Sequence, residues 1–109
     1  MLNQAILVGR LVRDPELYET ENGNKITSIT LAVPRSYKNV DGEYETDFVN
    51  CVLWRGVAEN AVEYCKKGDL LGVKGHLQTR TVQIDEERKR NIMEVIAEKV
   101  TYLSSKKND

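Results

Sequence analysis

Residues 46–67, TDFVNCVLWRGVAENAVEYCKK, change from one hydrophobic period to another, and this change decides the fold. Residues 46–55 alternate with period two, which is typical of a β-strand. Residues 57–67 instead carry apolar side chains on one helical stripe, formed by Val57, Ala61, Tyr64 and Cys65. The basic pair 66–67 suits the negative end of a helix dipole, and Gly68 suits the C-terminal cap. The stretch therefore predicts a strand followed by one short helix.

The sequence on either side of this unit predicts further strands. Four runs are β-branched or apolar and mostly alternate: residues 4–12, 26–33, 70–82 and 92–103. The breaks between them carry turn residues or charge: Asp14-Pro15, Asn22-Gly23-Asn24, Asp41-Gly42 and the charged stretch 85–90. Alternation predicts inward side chains at Ile29, Leu31, Val33, Leu71, Val73 and Leu77. The first strand is apolar on both faces, so we expect it to be covered on both sides for part of its length.

Three strands, a helix and two strands form the order of a small barrel. Glycines at positions 9, 72 and 75 fall where strongly coiled strands could bend. We therefore predict an all-β OB-fold, a five-stranded barrel with one short helix between strands 3 and 4. This domain covers residues 1–103, and residues 104–109 form a short polar tail. A five-stranded α+β sheet is the alternative.

Length and composition restrict the class of protein. The 109 residues suit one domain, since domains commonly hold about 100–150 residues. Sixteen Lys and Arg against seventeen Asp and Glu give a net charge of −1, which excludes a simple polycation but permits a local basic groove. No apolar run approaches the roughly 20 residues needed to cross a bilayer. The chain also opens without the pattern of a signal peptide, so we expect a cytoplasmic protein with no membrane partner.

Sequence signatures of enzymes are nearly absent. There is no glycine-rich phosphate loop, and Cys51, Cys65 and His76 lack the spacing of a zinc site. Cys51 falls in a predicted strand and Cys65 on the apolar stripe of the helix, so both are expected as core thiols rather than nucleophiles. We therefore predict no catalytic residues, no metal and no cofactor.

Aromatic and basic residues share faces of the predicted strands. Phe48 and Trp54 are six residues apart in one strand and therefore lie on the same side, with Asn50 between them. Tyr37 lies across the hairpin, and nearby cations are Arg35, Arg55, Lys74 and Arg80. Such a face suits single-stranded nucleic acid, because bases stack on aromatic rings while cations follow the phosphates. On spacing alone, the alternative that Phe48 and Trp54 are core residues stays open.

Seven motifs follow one another in a specific order and spacing, although none is diagnostic by itself. They are LNQAILVGRL at 2–11, DPEL at 14–17, ITLAV at 29–33, TDFVNCVLW at 46–54, AE at 58–59, YCKKG at 64–68 and VKGHLQTR at 73–80. Together they resemble the bacterial single-stranded DNA-binding proteins over residues 2–103. The resemblance implies an OB-fold, assembly as a homotetramer and single-stranded DNA as the ligand.

The resemblance also implies roles for single residues. Tyr37 falls where the family places a base-stacking aromatic after the second strand. Phe48 and Trp54 fall at two stacking positions of the third strand, which favours stacking over the core interpretation. Five basic residues fall at or beside positions that resemble phosphate contacts of the family: Arg35, Arg55, Lys67, Lys74 and Arg80.

Three departures from the family pattern stand out. Val82 occupies a position where some relatives have a further stacking Trp, so that stacking position is expected to be missing or weak. Residues 17–20, LYET, differ from a common basic-then-aromatic pattern and put a contact at Glu19 in doubt. The sequence stops at KKND, 106–109, without the acidic tail of longer members. We therefore expect weakened binding of the replication and repair proteins that recognise such a tail.

The sequence thus predicts a non-enzymatic protein that binds single-stranded DNA with little sequence preference. It would protect exposed strands during replication, recombination, repair or DNA uptake. One alternative is an OB-fold adaptor that binds mainly a replication protein, with DNA binding secondary. A second is a small hydrolase on a β-barrel, for which no catalytic set is found. The open edge of the first strand predicts pairing with its own copy, as a step towards the tetramer.

Overall fold

The computed structural model describes residues 2–104, which form six strands and one helix. The strands are β1 (Ala5–Leu11), β2 (Tyr18–Glu19), β3 (Lys25–Lys38), β4 (Tyr44–Trp54), β5 (Leu70–Gln83) and β6 (Lys89–Ser104). The helix α1 (Arg55–Tyr64) lies between β4 and β5. The predicted order is therefore confirmed, with the two-residue β2 as an addition. All but the first residue of the predicted tail lies outside the described residues.

Five of these strands close into a barrel. The sheet runs in the order β1-β5-β6-β4-β3, and β1 then pairs with β3 through Arg10–Ala32 and Leu11–Leu31. All pairings are antiparallel except β4 with β6, which meet in parallel at Cys51–Val95 and Val52–Ile96. Because the last strand returns to the first, the OB-fold prediction is confirmed and the open α+β sheet is wrong.

The core fills the barrel and continues under the helix. Alternate residues of the strands point inward, as predicted, and the most deeply buried side chains include Leu31, Leu53, Leu71, Val73 and Val95. The helix covers this core with Ala58 and Ala61, and it contacts β3, β4 and β6. Burying such side chains contributes about 1.5–3 kcal/mol each for the larger apolar residues.

Of the three glycines at which the strands were predicted to bend, two lie where backbone segments approach closely. A Cβ at Gly75 would overlap the carbonyl oxygen of Ile96, and one at Gly9 would lie 2.7 Å from the carbonyl oxygen of Ala32. At Gly75 the pairing of β5 with β6 shifts register, and Glu98 is the extra residue of the bulge. Gly72 differs, because a Cβ there would make only ordinary contacts, at 3.6 Å or more.

The helix differs from its predicted bounds. It begins two residues earlier, at Arg55, and ends at Tyr64, because Cys65 is already extended with φ −114° and ψ 149°. Gly68 therefore belongs to the following turn, where its φ is +91°, rather than to a helix cap. The buried stripe also differs: Ala58 lies inside, whereas Tyr64 is exposed. The turn is fixed by β1, since the Gly68 N–H donates to the carbonyl oxygen of Leu11 at 2.8 Å.

Two expectations about strand burial are wrong. Leu77 has the inward parity but is exposed, because β5 and β6 continue past the body of the barrel as a two-stranded arm. The first strand is covered on its inner side only, where Leu11 is buried, and its outward Ile6 and Val8 are exposed. Alternation therefore predicted the direction of these side chains but not what covers them.

Candidate nucleic-acid interface

Three aromatic side chains predicted as stacking residues are exposed. Phe48 is 67% exposed and Trp54 38%, both on the outward face of β4, and Tyr37 near the end of β3 is 63% exposed. Six residues of strand place Phe48 and Trp54 about 20 Å apart along this face. Their exposure excludes the alternative that both rings are core residues. Phe48 and Trp54 form the aromatic strip. Tyr37 lies outside it: because Lys38 pairs with Tyr44 on the face of Phe48, alternation turns Tyr37 to the opposite face, with Arg35.

A shallow trough runs beside the aromatic strip on β3. Residues paired across two antiparallel strands share a face, so the partners of the β4 side chains point outward with them. Most of these partners are small; the pairs are Ala32–Phe48, Thr30–Asn50, Ser28–Val52 and Ile26–Trp54. Short side chains next to large rings leave space over the sheet for flat groups to lie against the rings.

The Phe48 end of the strip opens into a gap between two strands. Because β4 and β6 share only two residue pairs, they diverge beyond Cys51 and Val95. The gap is lined by Phe48 together with Leu77 and Met93, which are both exposed. An apolar surface therefore continues from the ring of Phe48 onto the arm formed by β5 and β6.

The Trp54 end of the strip borders a groove that contains an ion pair. The groove reaches across the outward face of β3, β4, β6 and β5, and its lining includes Trp54, Gln78, Arg80, Glu94 and Ile96. Arg80 Nε donates to Glu94 Oε1 at 2.8 Å. The Glu94 side chain is only 10% exposed, whereas the Arg80 side chain is 57% exposed. The pair therefore presents a guanidinium at the surface above a largely buried carboxylate.

Arg35 lies near the strip but is bound to two carboxylates. Its Nε and Nη2 donate to the two oxygens of Asp47 at 3.0 and 2.9 Å, and its Nη1 donates to Glu45 Oε2 at 2.6 Å. This pairing raises the pKa of Arg35 and lowers the pKa of Asp47, with the hydrogen bond between the two as the main cause in each case. Asp47 faces the opposite side of β4 from Phe48. Arg35 is thus neutralised and held away from the aromatic face.

The other predicted cations divide into two groups. Arg55 follows Trp54 directly and is exposed, with a positive φ of 55° that is unusual for a residue with a side chain. Lys74 is exposed on β5 opposite Ile6 of β1, about 20 Å along the strand from Arg80. Lys67 lies beyond the helix, where its backbone N–H donates to Asp14 Oδ1 at 2.7 Å. The structure therefore brings Arg55 and Arg80 to the aromatic strip and leaves Lys67 and Lys74 elsewhere.

One cation at the strip was not among the predicted site residues. Arg13, in the segment after β1, donates from Nη2 to Thr30 Oγ1 at 3.2 Å, and Thr30 Oγ1 donates to Asn50 Oδ1 at 3.0 Å. Asn50 lies between Phe48 and Trp54, so these two hydrogen bonds place the guanidinium of Arg13 beside the middle of the aromatic strip. Its position depends on the β1–β3 closure, which the local sequence does not encode.

The remaining chemistry-bearing groups are buried or scattered. Burial raises the pKa of each thiol, Cys51 and Cys65, to about 11, which keeps both protonated near neutral pH. Both are core residues, as predicted. Within residues 2–104, no three His, Cys, Asp or Glu side chains cluster as metal ligands would. The one described helix is too short to span a bilayer.

Comparison with known proteins connects this surface to a family. Residues 2–103 match the Single-strand binding protein family. The chain is 52% identical over 103 residues to a single-stranded DNA-binding protein of Halalkalibacterium halodurans, covering 94% of this chain and 61% of that relative. It is 48% identical over 106 residues to single-stranded DNA-binding protein B of Bacillus subtilis, covering 97% of this chain and 94% of that protein. The chain belongs to the single-strand binding protein family.

Proposed function

We propose that this chain binds single-stranded DNA along the aromatic strip, with little preference for sequence and without catalysis. In the cytoplasm it would coat exposed strands and protect them during replication, recombination, repair or DNA uptake. The observation that carries the proposal is the outward exposure of Phe48 and Trp54 beside a trough of small side chains. The names of its relatives, which are single-stranded DNA-binding proteins, support the same ligand.

Two physical terms would produce the binding. Stacking of bases on exposed rings contributes about 1–3 kcal/mol per engaged base and tolerates every base, since each has a π-face. Phosphates neutralised by cations release counterions, which makes the affinity depend on salt. Arg13 and Arg55 border the strip and are our candidates for these contacts, whereas the charge of Arg80, which also borders it, is compensated by Glu94. Lys67 and Lys74 would contact only DNA that continues beyond the aromatic strip. Arg35 would first have to break its ion pairs with Asp47 and Glu45.

We further propose that the functional form is a homotetramer. The edge of β1 over residues 5–9 has no partner in β3, because their pairing begins only at Arg10. An open edge invites an antiparallel partner, and a second copy of β1 would supply one through a two-fold axis. The exposed Ile6 and Val8 beside this edge would then be covered on assembly.

Fluorescence titration with oligo-dT tests the proposed ligand. Trp54 is the only tryptophan, so its emission reports directly on the aromatic strip. We expect saturable quenching by single-stranded oligo-dT and little effect from duplex DNA of the same length, whose bases are already stacked. An adaptor that binds mainly protein would leave the emission unchanged at micromolar oligonucleotide. Release of nucleotides from the oligo-dT would indicate a hydrolase instead.

A further inference from the structure

We propose that Tyr18 is an additional base-stacking residue, which extends the interface from β4 across β3 onto β2. The inference rests on the proposed binding of single-stranded DNA and concerns a segment whose sequence departs from the common pattern. Tyr18 occupies the short strand β2, which the sequence did not predict as part of the site.

The register places Tyr18 in one row with Trp54. Tyr18 pairs with Ile26, and Ile26 pairs with Trp54, both in antiparallel ladders. Paired residues share a face, so all three side chains point outward from the same side of the sheet. Two strand spacings separate the rings at their backbones by about 10 Å. Single-stranded DNA that runs from Trp54 across the sheet would therefore reach Tyr18 next.

The ring of Tyr18 is both accessible and held in place. The residue is 58% exposed, and its hydroxyl donates to Glu16 Oε2 at 2.5 Å. A fixed ring loses little conformational entropy when a base stacks on it. The neighbouring Glu16 carboxylate would repel a phosphate, so this position suits the face of a base rather than the backbone.

The acidic residue that follows does not compete for the same surface. Glu19 points to the other side of β2, because successive residues of a strand alternate. There it forms an ion pair with Lys25 at 3.2 Å. The order aromatic-then-acidic, Tyr18-Glu19, thus places the ring on the face of Trp54 and the charge away from it.

Substitution of Tyr18 tests the proposal against two controls. We expect Tyr18→Ala to weaken binding of oligo-dT at least about fivefold, the lower end of one stacked base. Tyr18→Phe retains the ring and loses only the hydrogen bond to Glu16, so it should lose much less affinity than Tyr18→Ala does. Tyr64→Ala removes a similarly exposed tyrosine from the helix and should also leave affinity unchanged. Circular dichroism and the thermal midpoint establish that each variant is folded.

Unchanged affinity of a folded Tyr18→Ala variant would overturn the proposal. Failure of the parent protein to bind oligo-dT would instead overturn the proposed function, so the two outcomes are distinct.

Photo-crosslinking of the parent protein gives a second readout that does not depend on a variant. In oligo-dT with 5-iodouracil at single positions, ultraviolet light breaks the C5–I bond of the base, and C5 replaces a hydrogen of an adjacent aromatic ring with net loss of HI. We expect peptide mass spectrometry to find adducts at Tyr18 as well as at Trp54. Adducts at Trp54 and Phe48 without any at Tyr18, across every labelled position, would contradict the proposal.

Discussion

Arg80 and Glu94 are diagonal neighbours on adjacent strands and form an ion pair within the groove that Trp54 borders. The two residues lie on β5 and β6, and their Nε and Oε1 atoms are 2.8 Å apart. A carboxylate in a surface that would hold a polyanion opposes binding unless a cation compensates it. A change at this pair should therefore alter both the stability of the groove and its affinity for phosphate.

Glu94→Gln should make the affinity for oligo-dT more dependent on salt. The amide keeps a hydrogen-bond acceptor for Arg80 but removes the compensating charge, so Arg80 becomes available to a phosphate. The slope of log affinity against log salt should steepen by about 0.7 for one added contact on a single strand. Stability should fall by only about 0–1 kcal/mol, since Arg80 is exposed. Glu98→Gln, on the same strand but paired with His76, is the control, and an equal change in both variants would contradict the assignment.

Phe48→Ala should weaken oligo-dT binding by about 1–3 kcal/mol and hardly change the free energy of unfolding, because the ring is largely exposed. Isothermal titration and urea unfolding measure the two effects separately. Trp54→Ala should lower affinity by a similar amount, with a larger loss of stability, because more of the indole is buried. A large loss of stability with unchanged affinity in Phe48→Ala would assign that ring to packing.

Arg13→Ala should make the salt slope shallower by about 0.7, whereas Arg35→Ala should leave it nearly unchanged. The physical reason is that Arg35 is already neutralised by Asp47 and Glu45, whereas the Arg13 guanidinium donates to the uncharged hydroxyl of Thr30. Titrations at four or more salt concentrations give both slopes. A larger effect from Arg35 would mean that DNA displaces its carboxylates.

The His76–Glu98 pair should make stability depend on pH. The hydrogen bond that His76 Nδ1 donates to the Glu98 carboxylate is the main cause that raises the pKa of His76 in the folded chain. The stabilisation is then complete below the unfolded value of about 6.5 and is lost as pH rises through the higher folded value. Urea unfolding at about pH 6 and pH 9 should show that the parent protein loses more stability over this interval than Glu98→Gln does. Equal losses would exclude the pair as the origin.

Ile6→Lys should lower the oligomeric mass measured by light scattering. The charge would lie beside the open edge of β1, where a second copy is proposed to pair, and Ile6 is 71% exposed in the single chain. Val40→Lys is the matched control, because Val40 is also an exposed apolar residue but lies in the β3–β4 turn. The parent protein should have the mass of four chains. A mass of one chain at micromolar concentration would contradict the assembly.

Local patterns in the sequence were sufficient for the strands and their order. Asn22-Gly23-Asn24 and Asp41-Gly42 form the expected turns, in which Gly23 and Gly42 have φ of +83° and +78°. Alternation also placed Phe48 and Trp54 on one face of β4, although by itself it left open whether that face lies inward or outward. These features depend on neighbours within a few residues, which a single sequence displays.

Features set by distant residues could not be predicted in the same way. The helix ends early because hydrogen bonds with β1 fix the turn around Gly68. Leu11, which forms these bonds, lies 57 positions (68 − 11) earlier in the chain. Arg35 and Arg80 appear as available cations in the sequence, but their carboxylates come from neighbouring strands. The sequence does not predict Tyr18 as a site residue, because the strand that orients its ring, β2, pairs with β3 over only two residues.

The short parallel contact between β4 and β6 carries its own chemical reporter. Cys51 pairs with Val95 at this contact, is fully buried, and has a thiol pKa of about 11. A thiol reagent can therefore reach Cys51 only when the two strands part, and in a Cys65→Ala background the reaction rate measures how often the barrel opens there. Because the groove that Trp54 borders crosses from β4 to β6 and β5, DNA bound in it should bridge the contact and slow the labelling. The labelling rate of the buried Cys51 would thus report whether DNA occupies the outer surface of the barrel.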